Sequence, residues 1–85
     1  MRLERTKRFK KRYDNLPSSI QKQVDKQLGF LVTNFRHPSL KSSKMGGENI
    51  FEARVSKGYR MRYQITGGII TLLTVGQHDV GLGKK

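Results

Sequence analysis

The chain has 85 residues, with 18 Lys and Arg against 6 Asp and Glu, a formal net charge of +12 and no cysteine. That length predicts one domain over 1–85 with a modest core, and the lack of cysteine excludes disulfides and thiolate metal sites. So large a positive excess on a small domain points to a polyanionic partner, nucleic acid first, or to an acidic protein.

The N-terminus, MRLERTKRFKKR, is basic with no apolar stretch behind it. This argues against a secretory signal, and no segment has the length and apolarity of a membrane span. A soluble cytoplasmic protein without membrane association is the expectation. His37 and His78 lie far apart with no zinc-like spacing, so neither a metal nor another cofactor is expected.

Arg2-Leu3-Glu4 has the pattern of a short edge strand. Thr6 is placed to cap a first helix running to about Asn15. Phe9, Tyr13 and Leu16 recur at spacings of four and three and fall on one helical face. Lys7, Arg8, Lys10, Lys11 and Arg12 take the other faces, as a solvated side or a phosphate-binding patch. Leu16-Pro17 breaks this helix. Ser18 is then read as the cap of a second helix, with Gln21 three residues on as in a capping box. Ile20, Val24, Leu28, Leu31 and Phe35 form its apolar stripe. Gly29 inside it weakens the helix by ~1 kcal/mol relative to alanine. His37-Pro38 ends the pattern, because the residue before proline avoids the helical region, and His37 reads as a helix-end residue. Residues 38–48, PSLKSSKMGGE, read as a connecting loop carrying Lys41 and Lys44.

The stretch from Asn49 to Val80 organises the rest. Phe51, Ala53 and Val55 alternate with Glu52 and Arg54. Tyr59, Met61, Tyr63 and Ile65 alternate with Arg60, Arg62 and Gln64. This period of two marks strands with one apolar and one polar, basic face. Ile69 to Val75 is apolar nearly throughout, as in a strand covered on both sides. A two-residue loop at Lys57-Gly58 would set Val55 against Arg60 and mix the faces. The pattern therefore selects a three-residue loop that sets Arg54 against Arg62, Glu52 against Gln64 and Val55 against Met61. A similar loop at Thr66-Gly67-Gly68 places Arg60 opposite Thr74, with His78 near the same end. The expected fold is α+β: an N-terminal helical hairpin packed on a twisted antiparallel sheet of three to four strands.

Cutting RNA without a metal needs a base for the 2′-hydroxyl, positive charge around the phosphate and an acid for the leaving 5′-oxygen. Arg54, Arg60 and Arg62 supply guanidinium forks that match phosphate oxygens. His78 is the nearby side chain that titrates around neutrality. The same residues also fit a solvated sheet face and a structural histidine. The glycine pairs 46–47 and 67–68 are turn glycines, since neither opens a helix with the lysine of a phosphate loop.

Taken in order, LPSSI, HPSLK, EARVSKGYRMRY and VGQHD cover nearly the whole chain. Together they resemble the RelE/ParE superfamily of toxins from type II toxin–antitoxin modules, and the terminal His-Asp is closest to the RelE-like, RNA-cleaving branch. The resemblance implies a microbial RNase-like fold and metal-independent cleavage of mRNA in the ribosomal A site, leaving a 2′,3′-cyclic phosphate and a 5′-hydroxyl. It implies that Arg60 contacts the scissile phosphate, that His78 occupies an acid–base position and that Arg54 faces the RNA. Lys41, Lys44, Arg62 and Glu52 are implied as RNA contacts, with Glu52 as a base or a partner of Arg54 or Arg62. No tyrosine follows His78, where many RNA-cleaving members carry one. The implied partners are a cognate antitoxin, mRNA and the ribosome. Two other readings stay open: a ParE-type poison of DNA gyrase, and a basic RNA-binding module without activity.

Overall fold

The computed structural model describes residues 2–45 and 49–77. A first strand, β1 (Arg2–Arg5), is followed by helix α1 (Lys7–Asp14) and helix α2 (Ser18–Thr33). A 3₁₀ turn at Pro38–Leu40 leads to the short β2 (Ser43–Lys44), and the long strands β3 (Ile50–Ser56), β4 (Tyr59–Thr66) and β5 (Ile69–Gln77) complete the order. The strands form one sheet in the order β1-β5-β4-β3-β2. β1 runs parallel to β5 and the other pairs are antiparallel. The expected α+β fold of a helical hairpin on a sheet is present. The sheet has five strands rather than three or four, because Arg2–Arg5 and Ser43–Lys44 each add an edge.

The first helix begins as read: the Thr6 hydroxyl accepts a hydrogen bond from the Phe9 amide at 3.1 Å, satisfying one of the orphan donors of the first turn. The same hydroxyl donates to the carbonyls of Leu72, 2.9 Å, and Leu73, 3.1 Å. Thr6 therefore joins the hairpin to β5 as well as capping α1. The start of α2 differs from the expectation. Pro17 occupies the cap with φ −56° and ψ 148°, and no side chain caps the helix. Its pre-set φ makes the entry without a serine hydroxyl. The helix stops at Thr33, four residues before His37, whose ring instead caps the 3₁₀ turn by accepting from the Ser39 amide.

Both helices lie on one face of the sheet, α1 against β5 and α2 against β3. Phe9, Val24, Leu28 and Leu31 from the helices meet Ala53, Val55, Met61, Tyr63, Ile70, Leu72 and Val75 from the strands. Leu40 plugs the core from the 3₁₀ turn. Ile20 and Phe35, the ends of the α2 stripe, are partly buried against this core. In β5 the alternate positions Ile69, Thr71 and Leu73 are only half-buried. Its apolarity reflects an inner strand flanked by β1 and β4, not full cover on both faces.

Both hairpin registers depart from the expectation. The β3–β4 turn is the two-residue Lys57-Gly58, with Ser56 opposite Tyr59, and the register shifts between Arg54 and Ser56. Val55 is the extra residue of a β-bulge, which keeps it in the core while the faces stay in phase. A bulge thus does the work assigned to a three-residue loop. As a result Arg54 faces Arg60, Glu52 faces Arg62 and Ala53 faces Met61. The β4–β5 turn is Gly67-Gly68, with φ of +55° and +82°, the two positive angles of a type I′ turn. A second shift between Arg62 and Tyr63 sets Arg60 against Gly76 and Arg62 against Thr74.

One buried polar side chain ties the two layers together. Gln27, 5% exposed, donates from Nε2 to the Arg54 carbonyl at 2.8 Å and to the Ser39 carbonyl at 3.1 Å. A bulge disrupts the ladder beside it, and the glutamine amide takes up the carbonyl at that point.

Gln27→Leu should lower the free energy of unfolding by ~1–3 kcal/mol in urea titration, because it strands two carbonyls. Gly29 is exposed on α2, with nothing within 4 Å of where a Cβ would stand, so Gly29→Ala should stabilise by ~1 kcal/mol in the same assay. Burial pushes the Tyr63 phenol above its ordinary range, and its bond to Ser42 acts weakly the other way. A folded-state value raised above the unfolded one means stability held below pH ~10 and lost as pH rises through the folded value. Tyr63→Phe should therefore show a shallower alkaline loss of stability than the parent chain.

Candidate nucleic-acid interface

The period of two places Glu52 and Arg54 of β3, Arg60 and Arg62 of β4, and Thr74 of β5 on the sheet face turned away from the helices. Arg62 Nε lies 3.6 Å from Glu52 Oε2, and both side chains are largely shielded from solvent. Glu52 is therefore the partner of Arg62. Arg60 bends back toward the turn, donating from Nη1 to the carbonyls of Ser56, 3.1 Å, and Tyr59, 3.0 Å. Those two residues flank the Lys57-Gly58 turn, so the guanidinium is held at the end of the hairpin.

Arg54 stands directly opposite Arg60. Like charges in this relation weaken a sheet, and the bulge at Val55 creates the pairing. In this cluster one carboxylate stands against three guanidiniums, and the Arg2–Glu4 pair on the same face adds no net charge, so the face has a surplus of positive charge, fit to hold a phosphate by charge-assisted, bidentate hydrogen bonds. Thr74 adds a second mark. It is 5% exposed, and its hydroxyl has no hydrogen-bond partner in the structure. A buried hydroxyl left unsatisfied beside a cationic cluster has a ready explanation in a ligand group that completes it.

The structure brings Arg54, Arg60, Arg62 and Glu52 together. β5 carries the chain to Gln77, opposite Tyr59; His78 and the tail after it lie outside the described residues. Lys41 and Lys44 are elsewhere. Lys44 pairs with Phe51, on the helix side of the sheet. With Lys41, Phe35, Arg36 and Tyr63 these residues line a groove of about 410 Å³. His37, beyond the end of α2, stacks its ring on Phe30 with centroids 3.8 Å apart and lines the same groove. The basic side of α1 contributes a shallow depression lined by Arg8, Lys11, Arg12 and Asn15.

Two residues escaped the sequence reading. Gln27 sits three positions after Val24 and four before Leu31, so it lies on the apolar stripe, and a polar residue there was the available signal. Thr74 carried none, because its burial depends on the β4–β5 register. Among the described residues no group of three or more His, Asp or Glu side chains is placed to hold a metal ion, and no helix is long and apolar enough to cross a membrane.

The comparisons with known proteins bear on this arrangement. No curated protein matches the chain. Among solved structures, the Escherichia coli RelE toxin in the intact RelBE toxin–antitoxin complex superposes with a TM-score of 0.75 at 23% identity, covering 89% of this chain and 94% of that one. YafQ from E. coli BL21(DE3) gives a TM-score of 0.81 at 16% identity, covering 98% and 100%. The archaeal RelE–RelB complex from Pyrococcus horikoshii OT3 gives 0.79 at 17% identity, covering 94% and 97%. At these identities the likeness is one of fold. The family assignment comes from residues 3–80, which match the family described as the ParE toxin of the type II toxin–antitoxin system parDE. The chain belongs to that family, and so to the RelE/ParE superfamily of type II toxins.

Proposed function

We propose that this toxin is a metal-independent endoribonuclease that cuts mRNA in the ribosomal A site and so halts translation. The observation that carries the reading is the Arg54–Arg60 pair, two arginines set opposite each other across β3 and β4 on the sheet face turned away from the helices. Their mutual repulsion is relieved when a phosphate lies between them, and more so as charge builds on its oxygens during in-line attack. Arg60 stabilises that charge and Arg54 binds the same phosphate. Glu52 holds Arg62 in place, and the Thr74 hydroxyl completes the contact. His78 moves the proton, taking it from the attacking 2′-hydroxyl or giving it to the departing 5′-oxygen.

The second partner is an antitoxin. RelB, DinJ and YefM accompany the related toxins in solved complexes, and a surface of +12 favours an acidic segment that covers the arginine face and reaches the helical hairpin. A different target is favoured by one finding: the family match is to ParE rather than to RelE, which supports poisoning of DNA gyrase by binding alone.

Expression of the toxin and its Arg60→Ala variant in growing bacteria, followed by primer extension on a translated message, separates these readings. Cuts within codons are expected for the parent chain, weakened by ~10²-fold or more in the variant. Growth arrest with a DNA-damage response and no cuts would transfer the assignment to gyrase.

A further inference from the structure

The groove on the helix side of the sheet is separate from the arginine face, and its lining has a distinct chemistry. Phe51 stacks on Tyr63 with ring centroids 5.4 Å apart and planes 13° from parallel. Tyr63 is fully buried, and its hydroxyl donates to Ser42 Oγ at 2.9 Å. The inner ring is thus fixed, and Phe51, partly exposed, forms a rigid aromatic plate upon it. Phe35 also lines the groove, with the Arg36 guanidinium 5.6 Å from its ring centroid. Lys41 and Lys44 complete the rim, and among the described residues no carboxylate lines the groove.

Lys41 carries a further mark. Its φ of +45° and ψ of +45° put a lysine in the left-handed conformation, where glycine or asparagine fits with less strain. Strain held at a binding loop is a signature of function, and here it sets a cation at the rim.

We propose that this groove is a second RNA site, which takes one unpaired nucleobase against Phe51 and its flanking phosphates on Arg36, Lys41 and Lys44. A flat, pinned aromatic surface accepts the π-face of any base, and cations around it follow the backbone; together these make a single-strand platform. The volume of about 410 Å³ lies in the range of small-ligand sites. Lys44 stands on the edge strand β2 beside β3, whose opposite face carries Arg54. A strand of RNA that rounds this edge reaches both sites. The inference rests on the reading of the toxin as an RNA-directed protein and adds where a nucleotide outside the cleavage point is held.

The test is fluorescence titration of a short single-stranded RNA carrying 2-aminopurine, whose emission falls when the base stacks on an aromatic ring. Three proteins are compared: the parent chain, Phe51→Leu and Arg60→Ala. Phe51→Leu keeps an apolar side chain at this position but removes the plate. The expected result is quenching with the parent chain and with Arg60→Ala, and its loss in Phe51→Leu with affinity weakened roughly tenfold. Quenching unchanged in Phe51→Leu, or absent from the parent chain, would overturn the proposal. So would an acidic peptide rich in glutamate and leucine that shifts the Phe51 ring resonances where the RNA does not, which would give the groove to a protein partner. The two readings fail separately. RNA cutting with no Phe51-dependent quenching leaves the endonuclease and removes the groove; Phe51-dependent quenching without cutting does the reverse.

Discussion

The bond from the Gln27 amide to the Arg54 carbonyl is the constraint on which the rest of this structure turns. It couples the middle of α2 to the one place where β3 leaves regular pairing. The bulge at Val55 lets a two-residue turn close a hairpin whose hydrophobic pattern is out of step with such a turn. A bulge leaves backbone groups that need partners, and a buried glutamine supplies one. The same side chain also reaches Ser39, in the 3₁₀ turn that delivers Leu40 to the core. Core, turn and cationic face are therefore held by one residue.

The electrostatic consequence falls on the opposite side of the sheet. The three-residue loop expected from the pattern would set Arg54 against Arg62 and Glu52 against Gln64. The observed register gives Glu52 to Arg62 and leaves Arg54 facing Arg60. One cross-strand pair becomes attractive and its neighbour repulsive. A sheet selected for stability alone would not keep two guanidiniums in register, whereas a surface that must meet a phosphate gains from having them there. Arg60 keeps its position without an anion through the carbonyls of Ser56 and Tyr59.

Much of this was legible in the sequence, and the limits have physical causes. The helices were readable because the spacings of Phe9 and Tyr13, and of Val24, Leu28 and Leu31, follow the helical period. The three long strands were readable from alternation, as was the sharing of one face by Arg54, Arg60 and Arg62. The registers were not. A bulge changes pairing by one residue without changing which side chains are apolar, so the pattern that separates faces is silent about it. The α2 cap was misread because serine and proline both begin helices, by different means. That Lys41 and Lys44 lie on the helix side, apart from the arginines, is not legible, because sequence proximity to β3 does not reveal which side of the sheet an edge strand presents.

The parallel pairing of β1 with β5 has its own consequence. Arg2 to Arg5 lie beside Ile69 to Leu72, and the Thr6 hydroxyl bonds to Leu72 and Leu73. Residues 66 and 67 positions apart in the chain are thus joined directly. Contacts between such distant parts of a chain raise its contact order and slow its folding. The edge strand and the anchor of α1 have no place to dock until β5 has formed, so the start of the domain is secured only once its last described strand is in place.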